Sequence, residues 1–376
     1  MPDEILTARV EDHFSELQDP RRREVVYPLI NIVTIAICAV ICGADDFVSI
    51  ADYGRRKKDW LSKFLDLSAG IPSHDRFNAV LAALKPGEFE KCLLSWIAAL
   101  HEISGGQIVA IDGKTLRRSF DAASGKSAIH MVSAWATANH VSLGQVVVDE
   151  KSNEITAIPK LLEILELSGS LVTIDAMGCQ TEIARGIVDG GAGYVLAVKE
   201  NQPTLYAGIV DFFAEHVEDD FARVKVSRHA TSEKGHGRKE KRSYFVCPVP
   251  KDLPDGERWA NLTAIGVAIS ETVRGDKECN ETRFYILSKR LSARRFAEAV
   301  RGHWSIENRL HWQLDVTFQE DQSRIRKGHA DANFSLLRRN ALSMLKNNRT
   351  AKVGIKNKRL AAAWDDDYLL EVLFGT

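Results

Sequence analysis

What this sequence lacks first is cysteine in useful pairs. Cys38, Cys42, Cys92, Cys179, Cys247 and Cys279 are scattered with no Cys-x-x-Cys spacing, which excludes a disulfide framework and the ligand pattern of a structural zinc site. Such thiols suit burial in a reducing compartment. The N-terminus MPDEILTARVEDHF lacks the charged-then-apolar order of a secretory signal. A membrane span is missing too: the longest apolar stretch, INIVTIAICAVICGA at 30–44, is too short and runs into Asp45 and Asp46, so it is read as a buried helix. No charge of one sign dominates, since 50 Lys and Arg balance 51 Asp and Glu. These absences predict a cytoplasmic chain with no membrane partner. Its 45% hydrophobic content is enough to bury two or three ordinary cores.

The even charge total hides an asymmetry. From Gln322 to Arg359 eleven Lys or Arg face a single acid, Asp331, a pattern of a solvated face or of a phosphate-backbone footprint. Arg324, Arg326, Lys327, Arg338 and Arg339 are the candidate contacts there.

Residues 1–100 read as helices separated by turn signals such as Asp19-Pro20 and Gly70-Ile71-Pro72-Ser73. Then IVAID, IHMVSAWATA and LGQVVVD read as an antiparallel meander, followed by alternating helices and strands in the order βββαβαβα. That order predicts an α/β fold, a mixed sheet whose first and fourth strands lie side by side. Residues 217–290 read as a separate β-rich insertion. Ser292 then caps a helix running through ARRFAEAVRGHWSIENRLHWQL. The expected organisation is a helical unit over 1–100, a core over 101–216 and 291–376, and the insertion between them, with basic helices at the C-terminal end.

The stretch IVAIDGKTLRRS carries Asp112 out of the first strand and surrounds it with Lys114, Arg117 and Arg118. Asp175, in LVTIDAMGCQ, ends the fourth. Either aspartate has a plain alternative, an Asp-Gly turn for Asp112 and a helix N-cap for Asp175. Side by side, however, two carboxylates repel unless a cation lies between them, which suits Mg²⁺. His303, Glu307 and His311 are spaced by four, so a continuous helix puts them on one stripe beside Trp304. Their spacing is not the H-E-x-x-H of a zinc hydrolase. A helix returning to the sheet can bring Glu307 as a third carboxylate, and three carboxylates with two Mg²⁺ ions suit in-line displacement at a phosphodiester. Asp149, Glu320 and Asp321 are alternative acids. Lys199, Asn201 and Gln202, after the fifth strand, are read as substrate contacts or, equally, as turn-forming residues, and His236 and Arg238, at the first hairpin of the insertion, as DNA contacts rather than stabilisers of the hairpin.

The sequence resembles the bacterial insertion-sequence DDE transposases of the H-repeat-associated subgroup, within the retroviral-integrase-like superfamily. The resemblance is carried by DPRR at 19–22, Ile-Asp-Gly-Lys-Thr around Asp112, Asp-Ala-Met-Gly-Cys-Gln from Asp175, Val-Lys-Glu-Asn-Gln-Pro at 198–203, His-Gly-Arg at 236–238 and His-Trp-Ser-Ile-Glu-Asn at 303–308. It implies an RNase H-like fold, Asp112, Asp175 and Glu307 as catalytic acids holding two Mg²⁺ ions with Mn²⁺ as a substitute, and double-stranded DNA as partner, at element ends and target. It also implies a homodimer on DNA, associated with the bacterial nucleoid. Where the wider group has a tyrosine, an arginine and a lysine around its third acid, this chain has Val300, His303 and Leu314. Arg301 or His303 is then expected to take over phosphate contact, with Trp304, Asn308 and His311 on the same segment. The rival expectations are a nuclease that cuts without joining and a DNA-binding descendant without catalysis.

Overall fold

The computed structural model describes residues 10–22, 25–100, 107–120, 127–148, 153–235, 237–275 and 277–374. The chain opens with helices α1 (Leu29–Ile41), α2 (Phe47–Arg56), α3 (Lys58–Leu61), α4 (His74–Ala83) and α5 (Pro86–Leu100). Local chemistry sets their starts: the Asp46 carboxylate accepts from Ser49 N–H ahead of α2, and Ser73 Oγ from Arg76 N–H ahead of α4. Helix α1, the apolar stretch singled out above, is buried from Asn31 to Ile41. Among the described residues no helix is long and apolar enough to cross a membrane.

The predicted βββαβαβα order is present. Strands β1 (Ile108–Thr115), β2 (His130–Ala136) and β3 (Val141–Val148) form the meander; α6 (Glu154–Ile164), β4 (Leu171–Ile174), α7 (Thr181–Asp189), β5 (Gly193–Val198) and α8 (Pro203–Glu218) follow. β1 pairs antiparallel with β2 and parallel with β4, and β4 pairs parallel with β5. Four long strands come next: β6 (Ser227–Gly235), β7 (Arg238–Pro248), β8 (Ala264–Arg274) and β9 (Lys277–Leu287). They do not make a sheet of their own, contrary to the expectation of a separate insertion. β9 is hydrogen-bonded to β5, giving one nine-stranded sheet in the order β3-β2-β1-β4-β5-β9-β8-β7-β6. The reason lies in the sequence of β9, whose second half, FYIL, is apolar and buried while its first half, KECNET, is exposed.

After the sheet come α9 (Ala293–Ile306), capped by Ser292 as expected, a π-helical turn (Glu307–His311), and α10 (Trp312–Val316). The last helices are α11 (Ala330–Asn347), α12 (Ile355–Trp364) and α13 (Asp366–Phe374). The parallel centre of the sheet is covered on both faces, as parallel strands require. Ile108, Leu171, Val195 and Leu287 pack with Phe296, Ala297 and Val300 of α9 in a small core. The large core lies on the opposite face and continues into the N-terminal helices. α11 runs through the middle of it, touching α1, α4, α5 and β3.

That position corrects one expectation directly. Arg338 and Arg339 are 1% and 0% exposed, so they are not a DNA-facing surface. Lys358 and Arg359 are buried as well; the C-terminal excess of cations is partly internal.

Near α11, Glu90 of α5 accepts a hydrogen bond from Gln145 N–H of β3. Burial pushes its carboxyl up to about 8, against the pull of that N–H and of Arg339. A carboxyl raised on folding binds a proton that the unfolded chain releases, so stability falls as pH rises from the ordinary carboxylate range towards 8. Glu90→Gln keeps the acceptor and removes the titration. Denaturant melts from about pH 5 to about pH 9 should show a flatter profile for the variant and higher stability than the parent at the alkaline end; parallel profiles would contradict this.

Candidate active site

The last paired rung between β1 and β4 is Ile111 against Ile174. Asp112 and Asp175 each stand one residue beyond it, on neighbouring strands about 4.8 Å apart. Here the structure refines the sequence reading: β1 does not end at Asp112 but continues against β2 to Thr115, and it is β4 that leaves. Asp112-Gly113 is therefore mid-strand and not a turn. Gly113 is there for closeness, since a Cβ on it would lie 2.1 Å from Glu154 Oε1 and 2.7 Å from His130 Nε2. Those two side chains pair at 2.6 Å, and Thr115 Oγ1 meets His130 Nδ1 at 2.7 Å.

Asp175 is not the N-cap of α7, a position taken by Gln180. Its Oδ1 instead accepts from the N–H groups of Met177 and Gly178, at 3.1 and 3.4 Å, which folds the loop back under it. Asn201 Nδ2 donates to Ala176 O and Gln202 Nε2 to Cys179 O, at 2.7 and 3.0 Å. Both amides thus tie the loop after β5 to the loop that holds Asp175. That is a positioning task which sequence reasoning, looking for DNA contacts, did not assign.

A cavity of about 240 Å³ is lined by Asp112, Asp175 and Glu307, with Lys199, Arg283, His303 and Trp304. Burial drives the Asp112 carboxyl up to about 7; the Gly113 N–H opposes this, while the negative charges of Asp175, Glu154 and Glu307 add to it. Asp112 is thus surrounded by acids. Among the described residues no three His, Cys, Asp or Glu are gathered into a group that could hold a metal ion, so the three acids share a cavity without converging.

The helix that brings Glu307 is not continuous. The π turn widens the backbone across Glu307–His311 and breaks the single stripe expected for His303, Glu307 and His311. His303 Nδ1 lies 3.2 Å from Thr173 Oγ1 on β4. His311 is buried, with Nδ1 3.5 Å from Asp112 Oδ2, and burial, with Arg339 and Lys114 nearby, drives it down to about 3. A buried neutral imidazole packed on Asp112 is not an exposed DNA contact, so that reading of His311 is corrected. Val300 lines the cavity, and Leu314 is buried. Arg301 is exposed and paired to Glu233 of β6 at 2.6 Å. The guanidinium inside the cavity comes instead from Arg283 on β9, stacked 3.4 Å from the centre of the Trp304 ring. No sequence signal marked it, because the strand pattern alone explains TRFYIL.

Lys114 is also corrected. Its side chain is buried, donating to Asp315 and, at 2.9 Å, to Glu320 Oε2. Ser335 donates to the other Glu320 oxygen at 2.8 Å. Burial alone raises a carboxyl, but Lys114, Arg339 and Arg338 outweigh it and hold Glu320 at about 2. With both oxygens engaged, Glu320 anchors α11 to β1 and is poorly placed to be the third acid. Asp321 pairs with Arg117 at 3.4 Å. Arg118, Arg324 and Lys327 are exposed nearby, and Arg326 donates to Arg118 O at 3.2 Å. Arg238 is exposed beside Glu240, and Asn308 is exposed; His236 and Asp149 lie outside the described residues. Removing one partner of a buried charge pair typically costs ~3–5 kcal/mol. Glu320→Ala should lose that order of stability in denaturant titrations, while Glu307→Ala, on an exposed side chain, should change stability little; the reverse order would exchange their roles.

Comparisons with known proteins give the family. Residues 103–344 match the family model described as Transposase DDE domain, and residues 11–97 match one described as DDE_Tnp_1-associated. "Putative transposase YncI" of Escherichia coli O157:H7 is 43% identical over 367 residues, covering 96% of this chain and 93% of that protein. "H repeat-associated putative transposase YhhI" of Escherichia coli K12 is 40% identical over 371 residues, 97% of each chain. "Inactive transposase YbfQ" of the same strain is 38% identical over 72 residues, 19% of this chain and 86% of that protein. With a mixed sheet of RNase H-like order, two aspartates just past the last rung between its central parallel strands and a family match across most of its length, the chain belongs to the DDE transposase family.

Proposed function

We propose that the chain cuts DNA at the ends of its element and joins the freed 3'-hydroxyl to target DNA. Asp112, Asp175 and Glu307 act as the catalytic acids. The observation that carries this reading is the pair of aspartates one residue past the Ile111–Ile174 rung, in one cavity with Glu307. Asp112 is pushed up by burial and by three neighbouring carboxylates, an arrangement unfavourable for folding and favourable for a cation.

The donor set is all carboxylate oxygen, which fits Mg²⁺, with Mn²⁺ as a substitute. Drawn together from their separate positions on the cavity wall, Asp112, Asp175 and Glu307 would hold two such ions, whose chemistry is to activate the attacking oxygen and stabilise the leaving one. The chain's own residues do the rest. The Met177 and Gly178 N–H groups hold the Asp175 carboxylate, and Asn201 and Gln202 brace its loop. The buried Lys114–Glu320 pair fixes the strand carrying Asp112. Lys199 and Arg283 bring positive charge to the cavity wall, where a phosphate is attracted. Arg117, Arg118, Arg324 and Lys327 offer an exposed cationic surface to DNA beyond it. Pairing two element ends calls for a homodimer on the DNA.

The test is to incubate the purified chain with Mg²⁺ and the DNA flanking its own gene. Asp112→Ala, Asp175→Ala and Glu307→Ala should each drop nicking and strand transfer to background while the folded variants still bind the ends, because cations and not acids supply that affinity. Ca²⁺ in place of Mg²⁺ should support little cutting. Nicking without joining by the parent would make it a nuclease, and full activity in all three variants would sink the reading.

A further inference from the structure

Arg309 lies in the π turn, two residues past Glu307. Its Nη1 donates to His140 Nε2 at 2.6 Å. His140 sits in the turn between β2 and β3 with a left-handed backbone, φ 55°, and its ring stacks on Trp135 with centroids 6.2 Å apart. The ammonium of Lys346, on α11, lies 5.6 Å from the centre of that same Trp135 ring. Two cations therefore meet around one imidazole and one indole, brought together from three separate segments. Among the described residues no ion pair joins Arg309 or Lys346 to a carboxylate.

Two cations within electrostatic reach of each other, with no carboxylate partner among the described residues, are unfavourable on their own. Burial and the nearby Arg309 push Lys346 down to about 8, and burial, Lys346 and Arg309 push His140 down to about 4. A neutral imidazole is what Arg309 needs as an acceptor, so His140 positions the guanidinium and does not compete with it for an anion.

The place matters as much as the charge. Arg309 and Asn308 line a groove of about 680 Å³ along with Thr137 and Ser305, and Arg283, Tyr285, Val300 and Trp304 wall both this groove and the acid cavity. Glu240, Glu281 and Glu298 also line the groove, paired with Arg242, Arg283 and Arg295, so a chain of phosphates crossing the acids can continue along it to Arg309 past carboxylates that already have cations.

We propose that Arg309 and Lys346, with His140 as positioning residue, form a subsite for one DNA backbone phosphate beside Glu307. The inference rests on the reading of DNA as substrate, and it adds residues from the β2–β3 turn and α11 to the substrate path.

The experiment reads binding and not cutting, so it stands apart from the fate of the acids. Arg309→Gln, Lys346→Met and, as a comparison, Asp112→Ala are titrated with a short random-sequence duplex over a series of salt concentrations without divalent ions. Both cation variants should bind more weakly, and the slope of log affinity against log salt should become shallower by about 0.9 for the one phosphate lost; Asp112→Ala should keep the parental slope. Thermal melts separate this from a structural role. Lys346→Met removes a half-buried cation that has no carboxylate partner among the described residues, so its melting temperature should hold or rise while binding falls. Parental affinity and slope in both cation variants would overturn the proposal, as would a Lys346→Met chain that loses stability along with binding. So would a parent whose melting temperature rises with inorganic phosphate while the variants bind duplex normally, which would assign the site to free phosphate.

Discussion

One rung of a parallel ladder organises this molecule. β1 and β4 stay paired through Ile111 and Ile174 and then part, and wherever two parallel strands separate, the next residue of each is released from the ladder while its backbone remains fixed by the rung before. Both released residues here are aspartates. Everything around them serves to keep that divergence in place: the loop folded under Asp175, the continuation of β1 along β2, and the His130–Glu154 pair pressed onto the bare Cα of Gly113.

Electrostatics supplies the second constraint. The sheet end gathers Asp112, Asp175, Glu154 and Glu307, while the interior behind it holds Lys114, Arg338 and Arg339 around Glu320. Cations outnumber acids in the interior that α11 crosses, where Glu90, Glu320 and Asp331 are buried as well, and carboxylates are concentrated at the cavity. This is the opposite of an ordinary globule, which buries neither sign. The internal cations act on the cavity at one remove, through His311, which they help keep neutral.

How far could the sequence alone go? Periodicity and turn chemistry were enough for the βββαβαβα order, for the Ser292 cap and for the neighbouring positions of Asp112 and Asp175, because these depend on local pattern and on a simple topological rule. Burial of Arg338, Arg339, Lys114 and His311 was not legible, since a charged residue reads as exposed until its partner, distant in sequence, is known. The π turn was hidden for a related reason: an extra residue in a helix changes no composition, yet it rotates Arg309 and His311 relative to His303 and Glu307. Nor did anything in the strand TRFYIL announce that Arg283 would enter the cavity, because its direction follows from β9 joining β5, a pairing between segments far apart in the chain.

The Lys114–Glu320 contact spans 206 residues of sequence. During synthesis from the N-terminus, β1 emerges long before the segment that neutralises its buried lysine, and the central strand is left with an uncompensated cation until the last quarter of the chain arrives. Asp112, Asp175 and Glu307 all precede residue 320. A gene copy interrupted just after Glu307 would therefore encode all three acids in their proper spacing and still yield a polypeptide unable to close its own interior, so that decay of such genes from the 3' end would silence the protein through folding before any acid is lost.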